Sequence, residues 1–249
     1  MISVAASDGI SVVTMDRPEA RNALRAADYA AMHRAFRDAS SDPDVGVVVV
    51  TGAGGTFCGG QDLTELGDVT PEHLASVPFH AYIEALARCA KPVIGAVEGS
   101  AVGVGFTMLL HMDLVVAAQD ARFRTPFVTL GATAEAGSSV LLPELLGPRL
   151  AAKLLLTAQW LHAKDPGAEG LVTELVPAGG ALARAMELAG TIAAMPRHSV
   201  ESIKRLLVAG REDAVLRSFA RERAELVRIA GLVESGRVQP PFADGRVHR

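Results

Sequence analysis

Two short apolar runs set the terms for what this chain can become. Residues 45–51, with Val47-Val48-Val49-Val50 at their centre, lead into Gly52-Ala53-Gly54-Gly55-Thr56-Phe57-Cys58-Gly59-Gly60-Gln61-Asp62-Leu63. Residues 93–97 follow Lys91-Pro92 and lead through Glu98 into Gly99-Ser100-Ala101-Val102-Gly103-Val104-Gly105. Runs this uniformly apolar read as strands buried on both faces. Glycines at their ends free the backbone to aim N–H groups at a ligand. Two such loops brought together would hold one developing negative charge between paired amides, an oxyanion hole. Neither loop carries G-x-G-x-x-G or G-x-x-x-x-G-K-[ST], which sets aside dinucleotide and P-loop binding. On the residues alone, glycines that merely permit tight turns and close packing remain an equal alternative.

The bulk properties narrow the class. A chain of 249 residues, 49% hydrophobic and 21% charged, can bury a sizeable core in one domain or in one domain plus a short appendage. A formal charge of −4 provides no field for nucleic acid or anionic membranes. Cys58 and Cys89 make no disulfide framework and no metal-ligand spacing, and the histidines have no ligand-spaced partners, so no metal is expected. Apolar stretches break before membrane-spanning length, and Met1-Ile2-Ser3-Val4 has no basic leader region. The expectation is a soluble, cytoplasmic protein.

Along the chain, residues 2–5 and 10–15 flank Ser7-Asp8-Gly9 as a β-hairpin, and residues 26–40 read as a helix. Residues 72–90 have helical periodicity, 105–111 a short buried helix, and 114–117 a third core strand. The alternation predicts an α/β layered architecture. From Gly137 on, helices are expected over 138–146, 149–157, 181–194, 199–208 and about 213–232, with a strand at 170–176. Met195-Pro196-Arg197 is the boundary candidate, because Pro ends the preceding helix.

The glycine loops, in this order and wording, resemble the crotonase (enoyl-CoA hydratase/isomerase) superfamily, with the match running from Val12 to about Pro177 and more loosely beyond. The resemblance implies a crotonase-like spiral of ββα units over residues 1–195 and a C-terminal helical trimerisation region over 196–249. It implies an acyl-CoA thioester substrate, with coenzyme A part of the substrate and no separate cofactor, and a homotrimer or dimer of trimers.

By the same resemblance, the oxyanion donors are the backbone N–H groups of Gln61 and Val104. Gly103-Val104-Gly105 departs from the family's commonest glycine triplet, but a backbone amide does the work. Hydratases of the family use two glutamates; at those positions this chain has Thr107 and Phe127, and without carboxylates there water has neither base nor proton donor. Glu135, in Leu130-Gly131-Ala132-Thr133-Ala134-Glu135-Ala136-Gly137-Ser138-Ser139, resembles instead the catalytic base of peroxisomal-type Δ3,Δ2-enoyl-CoA isomerases. Read without the family, Glu135 is an acid in a first helical turn, where negative charge favours the helix. The implied function is isomerisation of 3-enoyl-CoA to 2-trans-enoyl-CoA in fatty-acid β-oxidation. The alternatives are a hydratase or another crotonase-family reaction, and a non-catalytic acyl-CoA-binding paralogue. Contacts to substrate and coenzyme A fall on Ala20, Arg21, Ala23, Gly60, Asp62 and Leu63, with Phe106, Phe127 and Leu130, and further Leu66, Phe79 and Tyr82, as apolar walls. Arg246 is the nearest candidate for the 3′-phosphate, but without the family's Lys-Arg wording it reads first as a solvated tail arginine, and Asp62 and Asp113 read as structural.

Overall fold

The computed structural model describes residues 1–65, 78–235 and 237. Strands β1 (Ile2–Ser7) and β2 (Ile10–Met15) form an antiparallel hairpin, turned by Asp8 and Gly9 at φ of +53° and +79°. There follow α1 (Ala26–Ser41), β3 (Val47–Gly52), α2 (Phe79–Ala87), β4 (Val93–Val97), β5 (Ser100–Val102) and α3 (Val104–Thr107). A 3-10 turn, Met108–His111, leads into β6 (Leu114–Ala118), β7 (Arg122–Arg124), α4 (Ser138–Leu146) and α5 (Pro148–Thr157). The chain ends its described course with β8 (Leu161–His162), β9 (Glu174–Val176), α6 (Ala181–Ala193) and α7 (Arg197–Glu234).

The main sheet runs β1-β2-β3-β4-β6-β9, and from β2 onward its neighbours are parallel. Its central strands are covered on both faces, which is why they are almost wholly apolar, β3 with four valines in a row. Val47, Val49, Ile94, Ala96 and Val116 pack under α6 through Ala181, Ala185 and Ala189. Those alanines recur every four residues on one helix face, and their small size lets α6 approach the sheet closely. Val48, Val50, Val93, Val97 and Val115 join the larger cluster with Tyr29, Met32 and Phe36 of α1 and Tyr82, Ile83 and Leu86 of α2. Among the described residues no helix is long and apolar enough to cross a membrane.

The α/β layers, the hairpin and the core strands agree with the sequence to within a few residues. Four features differ. Residues 105–111 split into the α-turn of α3 and a 3-10 turn. A second sheet, β5-β7-β8, lies where no strand except the glycine loop drew notice; its two- and three-residue strands are too short to show periodicity. The strand expected at 170–176 is only Glu174–Val176. The two helices expected at 199–208 and 213–232 are one, α7, which passes through Gly210 unbroken; a single helical glycine costs only about 1 kcal/mol and no proline intervenes. The expected helix at 72–90 is present as Phe79–Ala87, its earlier part lying outside the described residues.

The face of α7 turned inward carries Lys204, Val215, Ser218, Glu222 and Ala230, so polar groups rather than an apolar stripe dock it. Lys91 Nζ meets Glu201 Oε1 at 2.6 Å. Arg211 donates to the carbonyls of Leu110 and His111. Lys204 Nζ, 2% exposed, reaches both oxygens of Asp113 at 2.8 and 2.7 Å, and Asp113 Oδ2 also accepts the Val93 N–H at 2.8 Å. Removing one partner of a buried pair leaves the other charge uncompensated, which typically costs about 3–5 kcal/mol. Asp113→Ala is therefore expected to lower stability on that order. Lys204→Met removes the more deeply buried charge and keeps the volume, and it leaves Asp113 18% exposed and still bonded to the Val93 N–H, so it loses less. Urea unfolding followed by circular dichroism measures both, and equal losses would contradict the buried-charge account.

Candidate active site

The two glycine loops meet edge to edge. Phe57 N–H donates to Glu98 O at 2.8 Å, Cys58 N–H to Ser100 O at 3.1 Å, and Val102 N–H to Cys58 O at 2.9 Å, pairing Cys58 with Ala101 as a parallel bridge. Glycine is required by contact here. A Cβ on Gly60, at φ +96°, would stand 2.9 Å from Val102 O, and one on Gly105 would stand 2.6 Å from Cys58 O. On the other side, Leu24 N–H donates to Gly60 O at 2.7 Å and Asp62 N–H to Leu24 O at 2.8 Å. These bonds use the peptide groups flanking Gln61 and turn its own N–H away from Leu24. Val104 is the first residue of α3, where an N–H has no partner within its helix. Among the described residues neither the Gln61 nor the Val104 N–H donates to a protein acceptor. Both amides are thus available on facing loops.

Glu135 stands before α4 with its carboxyl on Thr107, whose Oγ1 donates to Oε1 at 2.5 Å. The residue as a whole keeps some exposure, yet Oε2 is out of contact with solvent and has no hydrogen-bond partner. Burial pushes the carboxyl up to about 8, with the Glu222 charge adding to the rise and the Thr107 hydrogen bond opposing it. Thr107 was singled out in the sequence only for what it is not. The structure gives it a part, as the fully buried hydroxyl that orients Glu135. Its place one helical turn on from Gly103 was the available signal; its partner 28 residues away was not.

Around these groups lies an aromatic wall. Tyr29 and Tyr82 stack at 5.7 Å, and Phe79 packs edge-on against Tyr29 at 5.6 Å. Both tyrosine hydroxyls are held protonated, by burial first and by the Glu135 charge among lesser causes. Tyr29 Oη donates to Gln61 Oε1 at 2.6 Å, fixing the Gln61 side chain to the floor of the site. Phe127 is buried and Leu130 half-buried, both in the 3-10 turn that precedes Glu135. Phe106 packs on Phe123 at 5.4 Å, a core contact. Leu66 and Arg246 lie outside the described residues.

The segment Ala20-Arg21-Asn22-Ala23 is clipped to the first glycine loop. Gly59 N–H donates to Arg21 O at 2.7 Å, and Asn22 Nδ2 donates to the carbonyls of Ala53 and Thr56. Gly60, Asp62 and Leu63 follow directly, so the substrate candidates of the two segments are brought together. Asp62 is committed structurally: the Thr64 hydroxyl and Arg17 hold its carboxyl down to about 2. Among the described residues no three His, Cys, Asp or Glu side chains are grouped to hold a metal ion.

The Glu135 geometry has a measurable consequence. Thr107 donates to the carboxyl and so favours its ionised form; in Thr107→Ala the titration midpoint moves up from about 8. Carbon-13 NMR of side-chain-labelled glutamate, with the Glu135 signal identified by its loss in Glu135→Gln, reads the shift. A midpoint in the ordinary carboxylate range would contradict the burial described.

The chain has relatives throughout its length. The enoyl-CoA hydratase/isomerase family profile matches residues 5–230. A protein of Rhodobacter capsulatus named as a probable enoyl-CoA hydratase is 34% identical over 96% of this chain and 96% of its own. The rat enoyl-CoA delta isomerase 2 is 32% identical over 94% of this chain and 60% of its own. The crystal structure of an enoyl-CoA hydratase/isomerase from Pseudoalteromonas atlantica superposes with a TM-score of 0.84 at 31% identity, covering 97% of this chain and 99% of that one. Pseudomonas aeruginosa OdaA does so with a TM-score of 0.86 at 35% identity, over 92% and 93%. With the crotonase fold, the facing amide loops and this similarity in agreement, the chain belongs to the enoyl-CoA hydratase/isomerase family.

Proposed function

We propose that this member is an enoyl-CoA isomerase that moves a double bond from position 3 to position 2 of an acyl-CoA thioester with one carboxyl group. The reading rests on one observation: a single buried carboxyl with an unpartnered oxygen, Glu135, stands where Thr107 and Phe127 leave no second acid. Glu135 Oε2 takes a proton from C2, and the C2–H electron pair moves into a dienolate. The thioester oxygen gains negative charge and accepts hydrogen bonds from the Gln61 and Val104 N–H groups. The carboxylic acid so formed returns its proton at C4, and the double bond settles between C2 and C3. No atom is gained or lost. A carboxyl with proton affinity near neutrality suits both halves of this shuttle.

The names of the relatives include hydratases as well as an isomerase, and the products decide. 3-Enoyl-CoA is expected to give 2-trans-enoyl-CoA of unchanged mass. Rapid addition of water to 2-enoyl-CoA with 3-enoyl-CoA untouched would sink the assignment, and no turnover of either would favour a binding paralogue. Glu135→Gln removes the accepting oxygen and should lower kcat by about 100-fold or more. Because the base must be ionised, kcat/KM of the native enzyme should rise with pH and level off above about 8.

The proposed assembly is a trimer or a dimer of trimers through α7, the helix that follows Pro196. Ile203, Leu206 and Leu207 of α7 are 59%, 72% and 61% exposed at the spacing of one helix face, the kind of apolar patch that marks an interface. Light scattering at micromolar concentration should give a multiple of three chains; a monomer would contradict it.

A further inference from the structure

The turn that carries Glu135 is gripped from outside the active site. Ala136 has φ +54° and Gly137 φ +75°, so two consecutive residues occupy left-handed conformations, one of them with a side chain. Such a conformation persists only where the surroundings hold it. Two side chains do so here. His111 Nε2 donates to Ala136 O at 2.7 Å, its ring kept neutral by burial, which lowers it to about 4. From the far end of the chain, Glu222 accepts three hydrogen bonds: Gly137 N–H at 2.7 Å, Ser139 N–H at 3.0 Å and Ser139 Oγ–H at 2.5 Å.

We infer that Glu222 is a positioning residue for the reaction, holding the Ala136–Gly137 turn by capping α4 so that the Glu135 carboxyl faces the site. The inference rests on the reading of Glu135 as the base. Glu222 is 7% exposed and lies 83 residues from Ser139, so its burial serves this cap and no local turn of its own. A carboxylate at a helix N-terminus also stabilises the helix through its free N–H groups. Helix α4 would otherwise lack one, since its own N-cap residue is a glycine with no side chain to accept them.

The same carboxylate acts on the proton as well as on the position. The groups facing Glu135 are Thr107 from α3, which stabilises its charge, Tyr29 and Tyr82 from α1 and α2, which stay protonated, and Glu222 from α7. His111 lies beneath the turn and is neutral, with Arg211 and Lys204 behind it. Glu222 is the one carboxylate among them, and as a like charge it raises the proton affinity of Glu135.

Glu222→Gln keeps the shape and removes the charge. By carbon-13 NMR, the Glu135 midpoint should fall by about half a unit or more, and the rising limb of kcat/KM should follow it to lower pH. Glu222→Asp keeps the charge but shortens the reach; kcat should fall about tenfold or more with KM nearly unchanged, because misplacement of the base affects the transition state. Thermal unfolding identifies any variant that has lost its fold, and if Glu222→Gln does not fold, Glu222→Asp decides. An unmoved Glu135 titration in Glu222→Gln, or unchanged kcat in Glu222→Asp, overturns the inference. The NMR titration needs no turnover. If Glu135→Gln still isomerises while Glu222→Gln moves the Glu135 signal, the base assignment alone has failed.

Discussion

The contact of Gly60 with Val102, through the Cys58–Ala101 bridge, is the constraint on which the site depends. It fixes the distance between two loops that issue from adjacent parallel strands, β3 and β4. Because those strands are locked between α6 and the α1–α2 layer, the loops have rigid roots. Amides that are to stabilise charge in a transition state must be in place beforehand, since reorganising them during reaction would forfeit their effect. The valine strands and the glycine loops are two parts of one device, the first supplying stiffness and the second close approach.

On this frame the groups that the proposed mechanism uses come from distant parts of the chain. Gln61 is held by Tyr29 of α1, and Glu135 by Thr107 of α3 and, through its turn, by Glu222 of α7. Each is a hydrogen bond made in a buried or half-buried setting, where an unmatched partner is costly. That cost favours one arrangement over its alternatives. Among the described residues, the one buried carboxyl oxygen left without a partner is Glu135 Oε2, where the proposed mechanism places the substrate proton.

Much of this was legible in the sequence, and the limit has a physical form. The strands, the glycine loops and the lone acid of residues 130–139 are local patterns: burial on both faces writes itself as consecutive valines, and close backbone approach writes itself as glycine. The partners were not legible. Nothing in the neighbourhood of Thr107 announces a residue 28 positions away, nor anything near Ser139 one 83 positions away. Helix α7 misled for a related reason. Its docking face is polar, so the periodicity of buried residues is hidden among surface charges, and Gly210 reads as a break when the packing on either side carries the helix through.

The cap supplied by Glu222 has a bearing on the order of folding. A chain is made from its N-terminus, and both glycine loops and Glu135 itself leave the ribosome well before α7 does. Until residue 222 is free to pack, Gly137 and Ser139 have no acceptor for the N–H groups that define the turn. The layered core can form early while the Glu135 carboxyl stays unaimed. With Glu135 as the proposed base, competence is thereby tied to the arrival of α7, so that an incomplete chain would hold a folded sheet and no aimed carboxyl.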